Sequence, residues 1–199
     1  MTRRIAPSRW GEALVAAALL VEVTIGGAAV LTLAGCARQD CAEADGGVPV
    51  DPVLLGFISR ARSAHHLADG REDAGDLSGA LAALRAVTDG PLPPAREAAE
   101  VREVLADTRA RAADLASRLG DFAGAEAEVK AGLELVPETS YFRGHLFEVR
   151  GLVEERLGKK KAQEGDPAGA ARARERALAA FEEAMRIQGA VIDSGTQEP

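Results

Sequence analysis

The sequence predicts an all-α protein, a short solenoid of about three helical hairpins preceded by an apolar N-terminal segment and a polar tether. A six-residue corner, Gly75-Asp76-Leu77-Ser78-Gly79-Ala80, returns as Gly120-Asp121-Phe122-Ala123-Gly124-Ala125 and as Gly165-Asp166-Pro167-Ala168-Gly169-Ala170. The first glycines of the three copies lie 45 residues apart each time, and a fixed interval of this size marks stacked helical hairpins. Composition agrees: 47% of the 199 residues are hydrophobic but 4% aromatic, so the core must be built from Ala, Leu and Val. With Glu and Arg, the first two are strong helix formers.

The chain begins with Arg3, Arg4 and Arg9, followed by an apolar stretch from Ala13 to Ala34, the layout of a secretory signal over residues 1–35. Its 22 residues are long enough to cross a bilayer. However, Glu22 sits mid-stretch, where an acid costs roughly 2.5–3.5 kcal/mol, and it leaves Val23–Ala34 as a run of signal-peptide length. The Arg3-Arg4 pair reads as ordinary positive charge. Residues 36–51 are small and polar, broken by Gly46-Gly47 and Pro49. They read as a flexible tether with a reach of roughly 20 Å.

Residues 52–193 hold the hairpins. In each corner Gly can close one helix in a left-handed cap, Asp can cap the next, and Pro167 suits a first helical turn. In the first unit Pro52–Ala68 predicts one helix and Asp76–Thr88 the next, with Asp69–Gly75 a long turn. The middle unit runs from Arg109 to Pro137, with Ala113 and Ala125 facing across the seam and Leu119, Phe122 and Leu133 filling it. The last unit places Phe147, Gly151 and Leu157-Gly158 on one helix and Ala177, Phe181, Ala184, Met185 and Ile187 on its partner. Between them, the 14 residues Lys159–Arg172 predict extra turns on both helices. Lys159-Lys160-Lys161 read as a solvated helix end, where cations complement the dipole. Residues 194–199 read as a frayed tail.

Formal net charge is −7; residues 1–35 contribute three arginines against two glutamates, +1, so the remainder carries −8. That balance excludes nucleic acid as the main ligand, which needs clustered Lys and Arg. Two cysteines, Cys36 and Cys41, cannot form a disulfide framework. His65 and His66 are adjacent and point about 100° apart on a helix, and His145 has no neighbouring Cys or second His. No metal-ligand spacing, phosphate loop or nucleophile motif stands out, so neither enzymatic activity, a metal, a cofactor nor a small-molecule substrate is expected.

Leu33-Ala34-Gly35-Cys36, directly after the apolar run, resembles the lipobox of bacterial lipoproteins. The resemblance implies cleavage before Cys36, diacylglycerol on its thiol, and anchorage in the bacterial cell envelope. Ala37 follows the cysteine where an Asp would favour the inner membrane, which implies the periplasmic face of the outer membrane. The middle unit, RARAADLASRLGDFAGAEAEVKAGLELVP, resembles a tetratricopeptide repeat (TPR): small Ala113, then Leu119-Gly120, Phe122, Ala125, Val129, Gly132-Leu133 and closing Pro137 stand in the family's order. Ala116 and Gly132 depart from its usual Tyr and Ala. The resemblance implies a protein-binding scaffold whose first helices line a groove for a peptide or protein partner, or a structural accessory subunit of a larger membrane complex. Aligning the units places Asp114, Ser117, Arg118, His145, Glu148, Glu155 and Arg156 on that groove. Reversing Arg118 and Arg156 to Glu is then expected to abolish partner binding and spare the fold.

Overall fold

A computed structural model describes residues 51–195 of the chain. Among them it shows six α-helices and no strand: α1 (Pro52–Asp73), α2 (Leu77–Thr88), α3 (Ala99–Arg118), α4 (Phe122–Leu135), α5 (Tyr141–Gln163) and α6 (Pro167–Gly195). The all-α class is thus observed. The signal segment, Cys36, Cys41 and the tether up to residue 50 lie outside the described residues.

The three Gly-Asp corners share one construction. Gly75, Gly120 and Gly165 take φ of 77°, 85° and 76°, a left-handed conformation that costs a residue bearing Cβ about 1–2 kcal/mol. The following Asp then closes the old helix and opens the new one. Its backbone N–H reaches back to the carbonyl of Arg71, Ala116 or Lys161, at 2.8, 2.9 and 2.9 Å. Its carboxylate accepts from the N–H of Gly79, Gly124 or Gly169, at 2.8, 2.9 and 2.8 Å. The second glycine of the motif has its own reason: a Cβ there would lie 2.0–2.1 Å from that capping carboxylate.

Within each unit the helices pair as α1 with α2, α3 with α4, and α5 with α6. Between units α3 packs on both α1 and α2, and α5 packs on both α3 and α4. The core follows that order. Ala68, Leu84, Ala112, Ala113, Leu115, Ala116, Ala125, Val129 and Leu146 are fully enclosed along the middle of the stack. A smaller cluster of Phe57, Ala61, Val87, Val101 and Leu105 fills the end near α1. Two buried carboxylates are tied in: Glu128 of α4 accepts from Arg85 and Arg109, and Glu154 of α5 takes both arms of Arg176.

Along α5, Gly144, Gly151 and Gly158 recur every seven residues and face α6. A Cβ on Gly151 would lie 2.5 Å from the Phe181 ring, and one on Gly158 3.4 Å from Ala173. The last hairpin is therefore held by glycine against alanine and one aromatic ring.

Several sequence expectations need correction. Helix α1 does not stop at Ala68 but continues to Asp73, because Glu72 is gripped by Arg111 and Arg118 of α3. Helix α3 starts at Ala99, ten residues before Arg109. Leu119 does not fill the seam; it is 43% exposed, displaced to the corner by the left-handed turn that follows. Met185 lies on α6 as expected, but on its outer side, 72% exposed. Ser194 and Gly195 remain helical at the end of α6. The lysines at the end of α5 do stand at a largely exposed helix end, and each also has a neighbour there: Lys159 pairs with Glu155, Lys160 sits over the Phe122 ring, and Lys161 pairs with Glu164.

Candidate functional site

The first helices of the three units, α1, α3 and α5, share one face, and two features occupy it. The first is a network of charges. Arg111 of α3 reaches back to Asp69 and Glu72 of α1, and Arg118 binds the second oxygen of Glu72. Asp114 then lies between Arg118, at 3.6 Å, and Arg156 of α5, at 2.8 Å. Arg156 also donates to the Ser117 hydroxyl at 2.7 Å. The chain of contacts thus runs from α1 through α3 to α5. Burial pushes the Glu72 carboxyl up, but the hydrogen bonds from Arg111 and Arg118 outweigh it and hold the group below its ordinary range. The Arg111 hydrogen bond lowers Asp69 likewise.

The second feature is a cleft of about 280 Å³ lined by Ile58, Ala61, Arg62 and His65 of α1, Val104 and Asp107 of α3, and Phe142 of α5. Its floor is apolar and its rim carries one imidazole, one carboxylate and one guanidinium. His65 is anchored in it: the Thr108 hydroxyl donates to the Val104 carbonyl at 2.7 Å and accepts from His65 Nε2 at 3.0 Å. This chain of donors leaves the Nδ1 lone pair free of the Thr108 contact. Burial lowers the His65 pKa, with Asp107 opposing and Arg111 reinforcing the shift. The imidazole is therefore neutral at pH 7, a hydrogen-bonding group and not a charge.

Of the seven residues placed on the groove from sequence, four meet in one network: Asp114, Ser117, Arg118 and Arg156. His145 and Glu148 form a separate pair at 3.4 Å on α5, with the His145 ring stacked on Tyr141. Glu155 is taken by Lys159 at 2.6 Å. The polar residues on this face thus satisfy one another, and reversing Arg118 and Arg156 would set two new carboxylates beside Glu72 and Asp114. The sequence reading passed over Asp69, Glu72 and Arg111, and it gave His65 no place in a cleft. A signal for the first group was present: Arg111 and Arg156 are 45 residues apart, and so are Asp69 and Asp114.

Among the described residues no group of three or more metal-ligating side chains gathers, and no helix is long and apolar enough to cross a membrane. Compared with known proteins, the chain matches no family model, no curated protein and no solved structure.

Proposed function

We propose that this chain is a lipid-anchored scaffold of the bacterial cell envelope, built from TPR-like repeats and binding a segment of a protein partner. The observation that carries the scaffold reading is the serial docking of α3 and α5, each on both helices of the hairpin before it, at corners of identical construction. Such stacking leaves the first helices along one continuous face. The internal pairing of Arg118, Asp114 and Arg156 moves the contact with a partner away from those charges. It favours the cleft at Ile58, His65, Val104 and Phe142, where an apolar side chain of the partner gains burial and His65 offers a neutral hydrogen bond. The anchor reading rests on Leu33-Ala34-Gly35-Cys36 and on the polar stretch after it.

Mass spectrometry of the protein from its own cells tests the anchor. The expected N-terminus is acylated Cys36, and Cys36→Ala should leave a precursor with residues 1–35 still attached. An intact Met1 on the wild-type protein overturns the lipoprotein assignment. A photo-cross-linking residue at Arg62, on the rim of the cleft, tests the scaffold. It should join the anchored chain to another polypeptide, and the absence of any adduct removes the cleft as the partner site.

A further inference from the structure

At about 280 Å³ the cleft between α1, α3 and α5 lies at the bottom of the size range of small-molecule pockets, which run from about 300 to 1,000 Å³. It suits a single side chain of a partner. Ile58, Ala61, Val104 and Phe142 give it apolar walls, so its polar groups are what discriminate between occupants.

His65 turns Nε2 onto Thr108, which is fully buried and forms no part of the lining. The Thr108 hydroxyl gives its hydrogen to the Val104 carbonyl, so it can only accept from His65, and the ring is fixed as the tautomer with its hydrogen on Nε2. Nδ1 is then an acceptor, and among the described residues no donor reaches it. Burial, with Arg111 and His66, keeps the ring neutral against the pull of Asp107 and Asp69, while α5 brings the uncharged Phe142 to the cleft. Asp107, on the α3 side, is a second acceptor, and exposed Arg62 balances its charge from α1. Neither has an ion-pair partner among the described residues.

We infer that the cleft takes a tryptophan side chain of the partner protein, its indole N–H donating to His65 Nδ1. The inference rests on the reading of the cleft as the partner site and names what fills it. Nδ1 and Asp107 only accept. A hydroxyl or amide, tyrosine's included, brings an acceptor of its own among the apolar walls, where it goes unpaired. A leucine or phenylalanine expels water from Nδ1 and leaves it unmatched. Lysine and arginine donate only, but they would bury a charge against those walls with Arg62 and Arg111 nearby. Tryptophan donates only, is neutral and is otherwise apolar, and Phe142 gives its ring an aromatic neighbour. The one tryptophan of this chain, Trp10, lies in the segment that cleavage before Cys36 removes, so the anchored chain fills neither its own cleft nor that of a second copy.

Three tripeptides titrated into the full chain purified from its own cells test this inference: Gly-Trp-Gly, its benzothienylalanine analogue, in which sulfur replaces the indole N–H, and Gly-Tyr-Gly. Gly-Trp-Gly should bind about fivefold tighter than either of the others, the worth of one net hydrogen bond. It alone should move the nitrogen resonance of His65 Nδ1 in protein labelled with ¹⁵N at histidine. His65→Leu should erase the preference with the helical signal retained. Equal affinity of the three peptides for the wild-type chain, an unmoved Nδ1 resonance, or no binding at all overturns the proposal, and none of these readings depends on the variant. The cross-link at Arg62 separates it from the scaffold reading. An adduct to a segment with no tryptophan beside it overturns the tryptophan and leaves the scaffold. A peptide preference with no adduct removes the scaffold and leaves the specificity of the cleft.

Discussion

The middle hairpin and the last one are built on the same corner, yet they bury their helices differently. Ten of the twenty residues of α3 are buried, against five of the twenty-nine of α6. Helix α3 is covered by α1 and α2 on one side and by α5 on the other, whereas α6 meets α5 alone. The corner is a local device, closed by one glycine and one aspartate, and it is indifferent to what packs outside it. Burial is set by position in the stack. A residue type at a given place in the unit therefore has a different energetic role in each copy.

The largest expected contrast is between two leucines. Leu115 of α3 is fully enclosed, so Leu115→Ala should cost about 2–5 kcal/mol in urea unfolding. Leu178 is 56% exposed on α6, and Leu178→Ala should stay within about 0.5 kcal/mol. Similar losses at the two positions would mean that the end face is covered in the folded protein. Next in size is Ala113→Leu. Ala113 has no exposed surface in the centre of the stack, and the added methylenes should cost about 1–3 kcal/mol. A melting point equal to the wild type would show that the seam between α3 and α4 has room.

Two glycines sharpen the comparison. Alanine is favoured over glycine in a helix by about 1 kcal/mol, so the sign of each substitution turns on the neighbour that must yield. A Cβ on Gly132 of α4 would lie 2.6 Å from Leu146, which is wholly enclosed. Leu146 has nowhere to go, and Gly132→Ala should destabilise by about 1–2 kcal/mol net. A Cβ on Gly151 would lie 2.5 Å from Phe181, a half-buried ring at the edge of the last hairpin that can swing outward. Gly151→Ala should be close to neutral. A Gly151→Ala loss equal to that of Gly132→Ala would show that Phe181 is held in place.

What could be read from the chain beforehand follows the same division. The corners were legible because a left-handed glycine and a capping aspartate act within six residues. The length of α1 was not, because Asp69-Gly70-Arg71-Glu72-Asp73 has the composition of a turn and is held in the helix by arginines some 40 residues away. Leu119 and Met185 are apolar residues at helical spacing, and nothing in their own segments says that no neighbour covers them. In the candidate site, Asp114, Ser117, Arg118 and Arg156 came together because they lie on a shared helical face. The cleft did not emerge, since Ile58, His65, Val104 and Phe142 come from three helices and share no motif.

The smallest expected effect is the pH dependence of the joint between α1 and α3. Burial lowers the His65 pKa from its ordinary 6.5. The unfolded chain therefore takes up this proton more readily than the folded one, and stability falls as pH drops below 6.5 towards the folded value. Glu72 and Asp69 shift in the same direction with a different consequence. Their folded carboxyls are lowered by Arg111 and, for Glu72, Arg118, so their stabilisation is present above the unfolded values of 4.5 and 3.8 and is lost on further acidification. Melting temperature measured from pH 8 to pH 3 should therefore decline in two stages. His65→Gln, which keeps a donor for Thr108, should remove the first decline and leave the second. Glu72→Gln should lower the melting point at pH 7 and weaken the second decline, because the neutral amide has no charge to lose. A first decline that survives His65→Gln would place the responsible proton elsewhere and would detach His65 from the folding of the cleft.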